Sequence, residues 1–401
     1  MTASVRAGII TPRDTGLKWP VVCWKSPSVH NTAPELKYVP SPIPPHAFVD
    51  YAMECLVADV GYVKGDLARG QRLRIGGSNG FIHPLWDASN RSMALTAGNA
   101  ENAYFLTNKS TVVAAALVNG SWNQRLYGAW PLQDVAGIVP DFTSSRRNLL
   151  TNPAKRILRR VYSTPWEIIK TAPQLFSYET KSVGGGDEPM FIQLWGRCVS
   201  PENGYQVGDE VIFNGMDGGV ANAGGEVWYN KSVVGFGVNV GHGMLSFDGS
   251  AVVTATPAKW LYQLRMAFAT DADGDTISPR NGSAMSIVSM YYGAWQQMQA
   301  GKDRGRWQLP ANYYPVDIGI SLRCIQKPDG TGGWGANDQI YSRNSGQANN
   351  ALAPVIVVRG REVIIPAYTT VANDKAVGKT GVGATTTLSP KIEIQIRAIG
   401  T

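Results

Sequence analysis

Cys55-Leu-Val-Ala-Asp-Val-Gly-Tyr-Val-Lys-Gly-Asp66 returns in outline as Cys198-Val-Ser-Pro-Glu-Asn-Gly-Tyr-Gln-Val-Gly-Asp209. In both stretches Cys and Asp stand 11 positions apart, with Gly-Tyr and Gly-Asp at the same places between them. The shared landmarks are Gly61, Tyr62, Gly65 and Asp66 in the first, and Gly204, Tyr205, Gly208 and Asp209 in the second. Further landmarks follow in order. Trp86 lies 25 after Gly61 and Trp228 lies 24 after Gly204; Trp122 and Trp260 follow at 61 and 56. A third copy opens at Cys324 and reaches Asp338 after 14 positions, the extra three lying in the turn Pro328-Asp-Gly-Thr-Gly-Gly333. Its close, Ser-Pro-Lys391-Ile-Glu-Ile-Gln-Ile-Arg397, parallels Ala-Lys259-Trp-Leu-Tyr-Gln-Leu-Arg265. Self-similarity of this kind marks serial copies of one supersecondary unit.

The unit reads as β. Ile392, Ile394 and Ile396 alternate with polar residues, the period of a half-buried strand. Gly-Tyr-x-x-Gly-Asp suits a tight turn between an incoming and an outgoing strand, with Asp accepting turn N–H groups. About 85 residues with several short strands is the scale of a small β-sandwich. The expected fold is therefore all-β: three tandem β-sandwich modules at 43–132, 188–268 and 313–401. Connectors at 133–187 and 269–312 join them, with short helices, and 1–42 forms an extended, Pro-rich arm that laces neighbouring subunits.

Composition agrees. Gly (44) and Pro (24) together make about one residue in six of 401, against about one in eight in an average protein, which favours a turn-rich chain. Apolar residues make up 44% and charged residues 17%, enough for packed cores and too little charge for a disordered chain. No apolar run reaches the ~18 residues a membrane span needs. The N-terminal residues lack the apolar core of a signal peptide, so the expectation is synthesis in a cytoplasm without export. Five Asn-x-Ser triplets, at Asn90, Asn108, Asn119, Asn230 and Asn281, then read as turn chemistry.

Charge is concentrated. Between 144 and 170, the basic residues Arg146, Arg147, Lys155, Arg156, Arg159, Arg160 and Lys170 face the single acid Glu167, leaving +6 of the chain's +7. Asn152-Pro153 and Thr164-Pro-Trp-Glu167 resemble helix starts, so two short helices are expected there. A docking surface for an acidic neighbouring protein is the favoured use. Nucleic acid is disfavoured, because neither interleaved aromatics nor a DNA-reading motif accompanies the run. In the second connector Ile287, Met290, Tyr291, Ala294 and Met298 recur at helical spacing.

Site motifs fail one by one. Asp271, Asp273 and Asp275 invite calcium, but Gly and Glu are missing from the loop positions an EF-hand requires, and no cofactor is expected. Gly378-Lys-Thr380 has no opening glycine of a phosphate loop. No nucleophile elbow is present, and the repeated acids Asp66, Asp209 and Asp338 sit at one turn, which is a structural use. No enzyme is expected. Cys55, Cys198 and Cys324 occupy one position in apolar strands and read as buried core, as do Trp86, Trp228, Trp122 and Trp260.

These motifs resemble a module of bacteriophage tail-fibre proteins. There an apolar strand ends in Cys, a Gly-Tyr-x-Val-Gly-Asp-Glu-Val turn follows, then a Trp strand and a final Trp…Leu-Arg strand. His46, Val49, Cys55, Gly61, Tyr62, Gly65, Asp66, Trp86, Trp122 and Leu126 carry the match in the first copy. Cys198, Gly204, Tyr205, Val207, Gly208, Asp209, Glu210, Val211, Trp228, Trp260, Leu264 and Arg265 carry it in the second. Leu67 departs from the pattern's Glu, and the third copy lacks both Gly-Tyr and Trp. The resemblance implies a virion-attached homotrimer that associates with other virion proteins and binds a host-surface glycan or protein. Two alternatives stand beside it: a capsid or tail decoration protein without receptor contact, and a carbohydrate-binding or depolymerising module using exposed Trp and Tyr.

Overall fold

The computed structural model describes residues 17–18, 21–29, 35–58, 62–69, 83–97, 103–107, 111–115, 122–131, 155–170, 174–180, 188–213, 215–217, 223–230, 232–238, 242–247, 252–270, 288–297, 304–325, 335–342, 356–366, 375–376, 386–387 and 392–401. The protein is all-β, built of antiparallel sheets. A single turn of 3-10 helix, Pro257–Lys259, leads into one of the long strands.

Each copy runs through the same succession of strands. In the first these are an opening strand Val21–Lys25, a side strand Glu35–Tyr38, a long Cys strand Phe48–Cys55 and a short strand Leu67–Arg69. A hairpin of His83–Asp87 and Ser92–Ala97 follows, then a closing strand Trp122–Pro131. In the second the opening strand is Lys155–Ser163, the side strand Gln174–Glu179, the Cys strand Pro189–Cys198 and the short strand Glu210–Ile212. Its hairpin is Ala223–Tyr229 with Val233–Val238, and its closing strand Trp260–Thr270. In the third they are Ser289–Tyr292, Gly305–Gln308, Pro315–Cys324, Gln339–Ser342, the hairpin Val357–Arg359 with Glu362–Ile365, and Ile392–Gly400.

Opening, closing, Cys and short strands form one sheet of each copy, in that order; the hairpin and side strand form a second. Register repeats as well. Cys55 stands opposite Trp122, Cys198 opposite Trp260, and Cys324 opposite Ile392. The two sheets of a copy enclose its core. In the third, alternation turns Ile318, Ile320 and Leu322 inward with Ile392, Ile394 and Ile396, against Trp307, Val358, Val363 and Ile365 from the second sheet.

The copies are not independent, because sheets run through from one to the next. The second copy's hairpin pairs with the first copy's short strand, and the third copy's hairpin with the second's. The first copy's hairpin pairs with the third copy's short strand, so the series returns to its start. Opening strands of the first two copies also pair, Lys155 opposite Trp24. Cores cross these seams: Tyr341 of the third copy packs with Trp24, Val49 and Leu126 of the first.

Several expectations are corrected by this arrangement. Neither the two expected helix starts nor the stripe of the second connector is helical where it is described. Lys155–Ser163 is a strand held between Val21–Lys25 and Trp260–Thr270, and Glu167–Ile168 pairs with the latter. Two waiting ladders outweigh the local capping pattern, since strand preference follows tertiary context. Thr164 serves the ladder instead: its N–H donates to the Leu264 carbonyl at 2.9 Å, and its hydroxyl accepts the Leu264 N–H at 3.0 Å. The stripe of the second connector becomes strands Ser289–Tyr292 and Gln296–Gln297, with Met290 buried; Ile287 and Met298 lie outside the described residues. The N-terminal arm is not a free extended segment where Val21–Lys25 and Glu35–Tyr38 are described. It supplies the first copy's opening and side strands, with Val21, Val22, Cys23 and Trp24 all buried. The boundaries at 43, 188 and 313 therefore cut each sandwich after its opening and side strands.

Continuous sheets predict shared unfolding. Ile320→Ala is expected to cost about 2–5 kcal/mol. Scanning calorimetry will show one transition moving to lower temperature, rather than a third-copy transition separating from an unshifted remainder.

Candidate functional site

The repeated Asp is the feature most suggestive of a site, and its surroundings can be built from the backbone upward. Each Cys N–H donates to the Asp carbonyl across the turn, at 2.8 Å for Cys55–Asp66, 2.9 Å for Cys198–Asp209 and 3.0 Å for Cys324–Asp338. The residue before Asp returns a bond to the Cys carbonyl: Gly65, Gly208 and, in the third copy, Asn337. All three take positive φ, at 91°, 93° and 66°. Gly does so without strain, and Asn is the side chain that tolerates the left-handed region best. The third copy thus reaches the same geometry with a different residue.

One carboxylate oxygen then closes the turn. Asp66 accepts the Val63 N–H at 3.0 Å, Asp209 the Gln206 N–H at 2.9 Å, and Asp338 the Gly335 N–H at 2.8 Å. The other oxygen leaves the copy. Asp66 accepts from the Asn230 amide at 2.9 Å, and Asp338 from the Ala88 N–H at 2.8 Å. Asp209 receives a two-pronged bond from Arg359, at 2.7 and 2.6 Å. Asn230, Arg359 and Ala88 all belong to the hairpin of the neighbouring copy at or beside its turn. Each Asp is therefore both a turn cap and a clasp across a seam, and all three are buried.

A second set of contacts crosses the same seams from the closing strands. Tyr127 donates to Glu188, just ahead of the second Cys strand, at 3.2 Å. Arg265 donates to the Pro315 carbonyl at the start of the third Cys strand at 3.0 Å. Arg397 donates to the carbonyls of Pro45 at 3.0 Å and Ala47 at 2.6 Å, ahead of the first. Partners change with the cation. Buried Arg265 meets the carboxylate of Glu210 at 2.7 Å, whereas Arg397 meets the neutral amide of Gln339 at 3.0 Å, both acceptors standing immediately after the turn Asp. Burial holds the Arg397 guanidinium below its ordinary value. Aromatic faces complete the enclosure: Arg265 lies 4.2 Å from the Trp195 ring centre and 4.3 Å from that of Tyr314.

Ion pairs beside the Cys residues repeat with reversed polarity. Arg197 pairs with Glu210 and Arg323 with Glu393, but in the first copy the acid is on the Cys strand, Glu54, and Arg125 answers it at 2.9 Å. Burial pushes the Glu54 carboxyl up; bonds from Arg125 and Ser28 and the charges of Arg125 and Lys25 outweigh it, leaving the group below its ordinary 4.5.

The remaining expected residues fall as follows. Cys55, Cys198 and Cys324 are buried and form no disulfide, and Cys23 is the same in both respects. Burial raises the Cys23 and Cys198 thiols, which leaves them poor nucleophiles. Tyr62, Tyr205, Trp228 and Trp260 are buried; Tyr205 packs edge-on to Trp260 at 5.4 Å. Trp122 and Trp260 share one register position, but Trp86 and Trp228 do not. Trp86 faces Gln339, one after the turn Asp, whereas Trp228 faces Ala68, two after it, so Tyr229 and not Trp228 matches Trp86. The spacings of 25 and 24 already held that offset. A strand's side chains change face at every step, so one position reverses the assignment. Trp334, four before Asp338, stands where Tyr62 and Tyr205 stand before their Asp, a correspondence the forward count from Cys324 hid.

Of the basic patch, Arg156, Arg159 and Arg160 are half-buried on the opening strand of the second copy, with Arg160 lying 4.8 Å over Phe268; Lys155 begins that strand. Arg146, Arg147, Gly61, the stretch Asp271, Asp273 and Asp275, and Gly378–Thr380 lie outside the described residues. Among the described residues no group of three or more His, Cys, Asp or Glu could hold a metal ion, and no helix is long and apolar enough to cross a membrane. No family model matches the chain, no curated protein matches it and no solved structure matches it.

The clasps and pairs make graded predictions. Arg265→Ala, which removes a fully buried cation and its tie to Pro315, is expected to cost about 3–5 kcal/mol in denaturant unfolding. Gly208→Ala has open space for its Cβ and should cost only the backbone strain, about 1–2 kcal/mol, whereas Asn337→Gly should be neutral or stabilising. Glu54 carries its charge more readily folded than unfolded, so its contribution is complete above pH 4.5 and fades as pH falls through the folded value. Glu54→Gln should therefore flatten the acid side of the stability profile below about pH 5, measured by urea midpoints.

Proposed function

We propose that the protein is a structural component of a bacteriophage virion, a fibre-like appendage that takes part in host attachment and has no catalytic role. One observation carries this reading: the described acids and thiols of the repeated signature, with the rings of Tyr62, Tyr205, Trp228 and Trp260, are spent on architecture. The acids cap turns and clasp seams, the thiols are buried, and the aromatic rings fill cores or cover guanidinium groups. What such a scaffold offers a partner is its connecting segments. Those between short strand and hairpin, including residues 218–222 and 344–350, lie outside the described residues and are the proposed contact regions. The resemblance of the Gly-Tyr-x-x-Gly-Asp modules to tail-fibre modules supplies the particle; the seam geometry supplies a rigid frame.

A sugar-stacking role finds less support, since Trp24, Trp195, Trp228, Trp260 and Trp307 are all buried. Attachment is tested with purified particles and labelled protein. Mass spectrometry is expected to find the chain in washed virions, and the free protein to bind host cells and compete with adsorption. Absence from virions, or activity against host polysaccharide, would overturn the proposal.

A further inference from the structure

We infer that this single chain is a complete, self-closed ring, in which one polypeptide fills the positions that a threefold assembly takes from three subunits. Three sets of contacts that join the copies run in one sense. The short strand of the first copy is covered by the hairpin of the second, that of the second by the third, and that of the third by the first. The carboxylate clasps follow the same order: Asp66 to Asn230, Asp209 to Arg359, Asp338 to Ala88. So do the closing-strand contacts, from Tyr127 to Glu188, Arg265 to Pro315 and Arg397 to Pro45. A head-to-tail contact generates a ring if its rotation closes and an open filament if it does not. Here it closes at the third step, across residues more than 250 positions apart in the chain, with Ile340 opposite Leu85 and Gln339 opposite Trp86.

The consequence concerns partners. Each short strand's edge is covered from within the chain, so no seam is left over to recruit further copies through this surface. The chain is a monomer, and it seats as one copy where a homotrimer would seat as three. Its three outward faces have different sequences, and a threefold partner meets three distinct surfaces. The inference rests on the seams and not on the phage assignment, so either can fail alone.

Native mass spectrometry and light scattering of the wild-type chain across a wide concentration range test it first. A 43.3 kDa species at all concentrations is expected, and a stable trimer overturns the inference. The seam itself is tested with the double variant Leu85→Cys and Ile340→Cys. Oxidation is expected to lock the third copy to the first within one chain, giving a faster-migrating monomer on a non-reducing gel. Cross-linked dimers or trimers would show that the hairpin is exchanged between chains and would overturn it. Should that variant fold poorly, hydrogen exchange on the wild-type chain serves instead. Amides at 85–86 and 339–340 are expected to be protected like the other two seams, independently of concentration; exchange at the rate of open edges overturns closure.

Discussion

A carboxylate has two oxygens, and this fold uses both. One holds the turn that lets a Cys strand hand over to a short strand; the other reaches the hairpin of the neighbouring copy. The short strand is only three or four residues long, so its ladder to the Cys strand is weak alone and its outer edge would otherwise be open. Fixing the turn and anchoring the incoming hairpin at the same carboxylate ties the existence of each sheet to the presence of its neighbour. Sandwich, seam and ring all depend on that shared anchor.

The closing-strand contacts show how such an arrangement diverges without losing its geometry. Position for position, Arg265 with Glu210 becomes Arg397 with Gln339, and Tyr127 with Leu67. Where the acceptor keeps its charge the buried cation is matched; where it becomes an amide, carbonyls of Pro45 and Ala47 carry the load. In the first copy neither of the two positions is charged, and the Tyr127 hydroxyl meets that of Tyr229 at 3.0 Å besides the Glu188 carboxylate. Changing both members together avoids the cost of a buried group left without its partner. The reversed Glu54–Arg125 pair follows the same rule.

Much of the local structure is legible in the sequence. The Cys-to-Asp spacing located each turn, and alternation through Ile392–Ile396 identified a strand, although its polar face, with Gln395 and Arg397, is buried as well. The apolar character around Cys55, Cys198 and Cys324 matched their burial. What misled was local in the same way. Asn152-Pro153 and Thr164-Pro165 carry helix-start chemistry, yet neighbouring strands with unsatisfied backbone groups claimed Lys155–Ser163. The one-residue offset between Trp86 and Trp228 was visible as a number, but its meaning depends on which strand lies opposite.

The sequence by itself determined that the chain is all-β, where its turns fall, and which acids, thiols and indoles recur. These follow from short-range rules: side-chain alternation, left-handed backbone at Gly, and carboxylates beside free N–H groups. Only the tertiary structure decided that the sandwiches share sheets and that the third copy returns to the first. That choice lies in backbone hydrogen bonds between strands far apart in the chain. A backbone donor or acceptor is the same in every residue but proline, so the sequence carries little record of which edge it will meet.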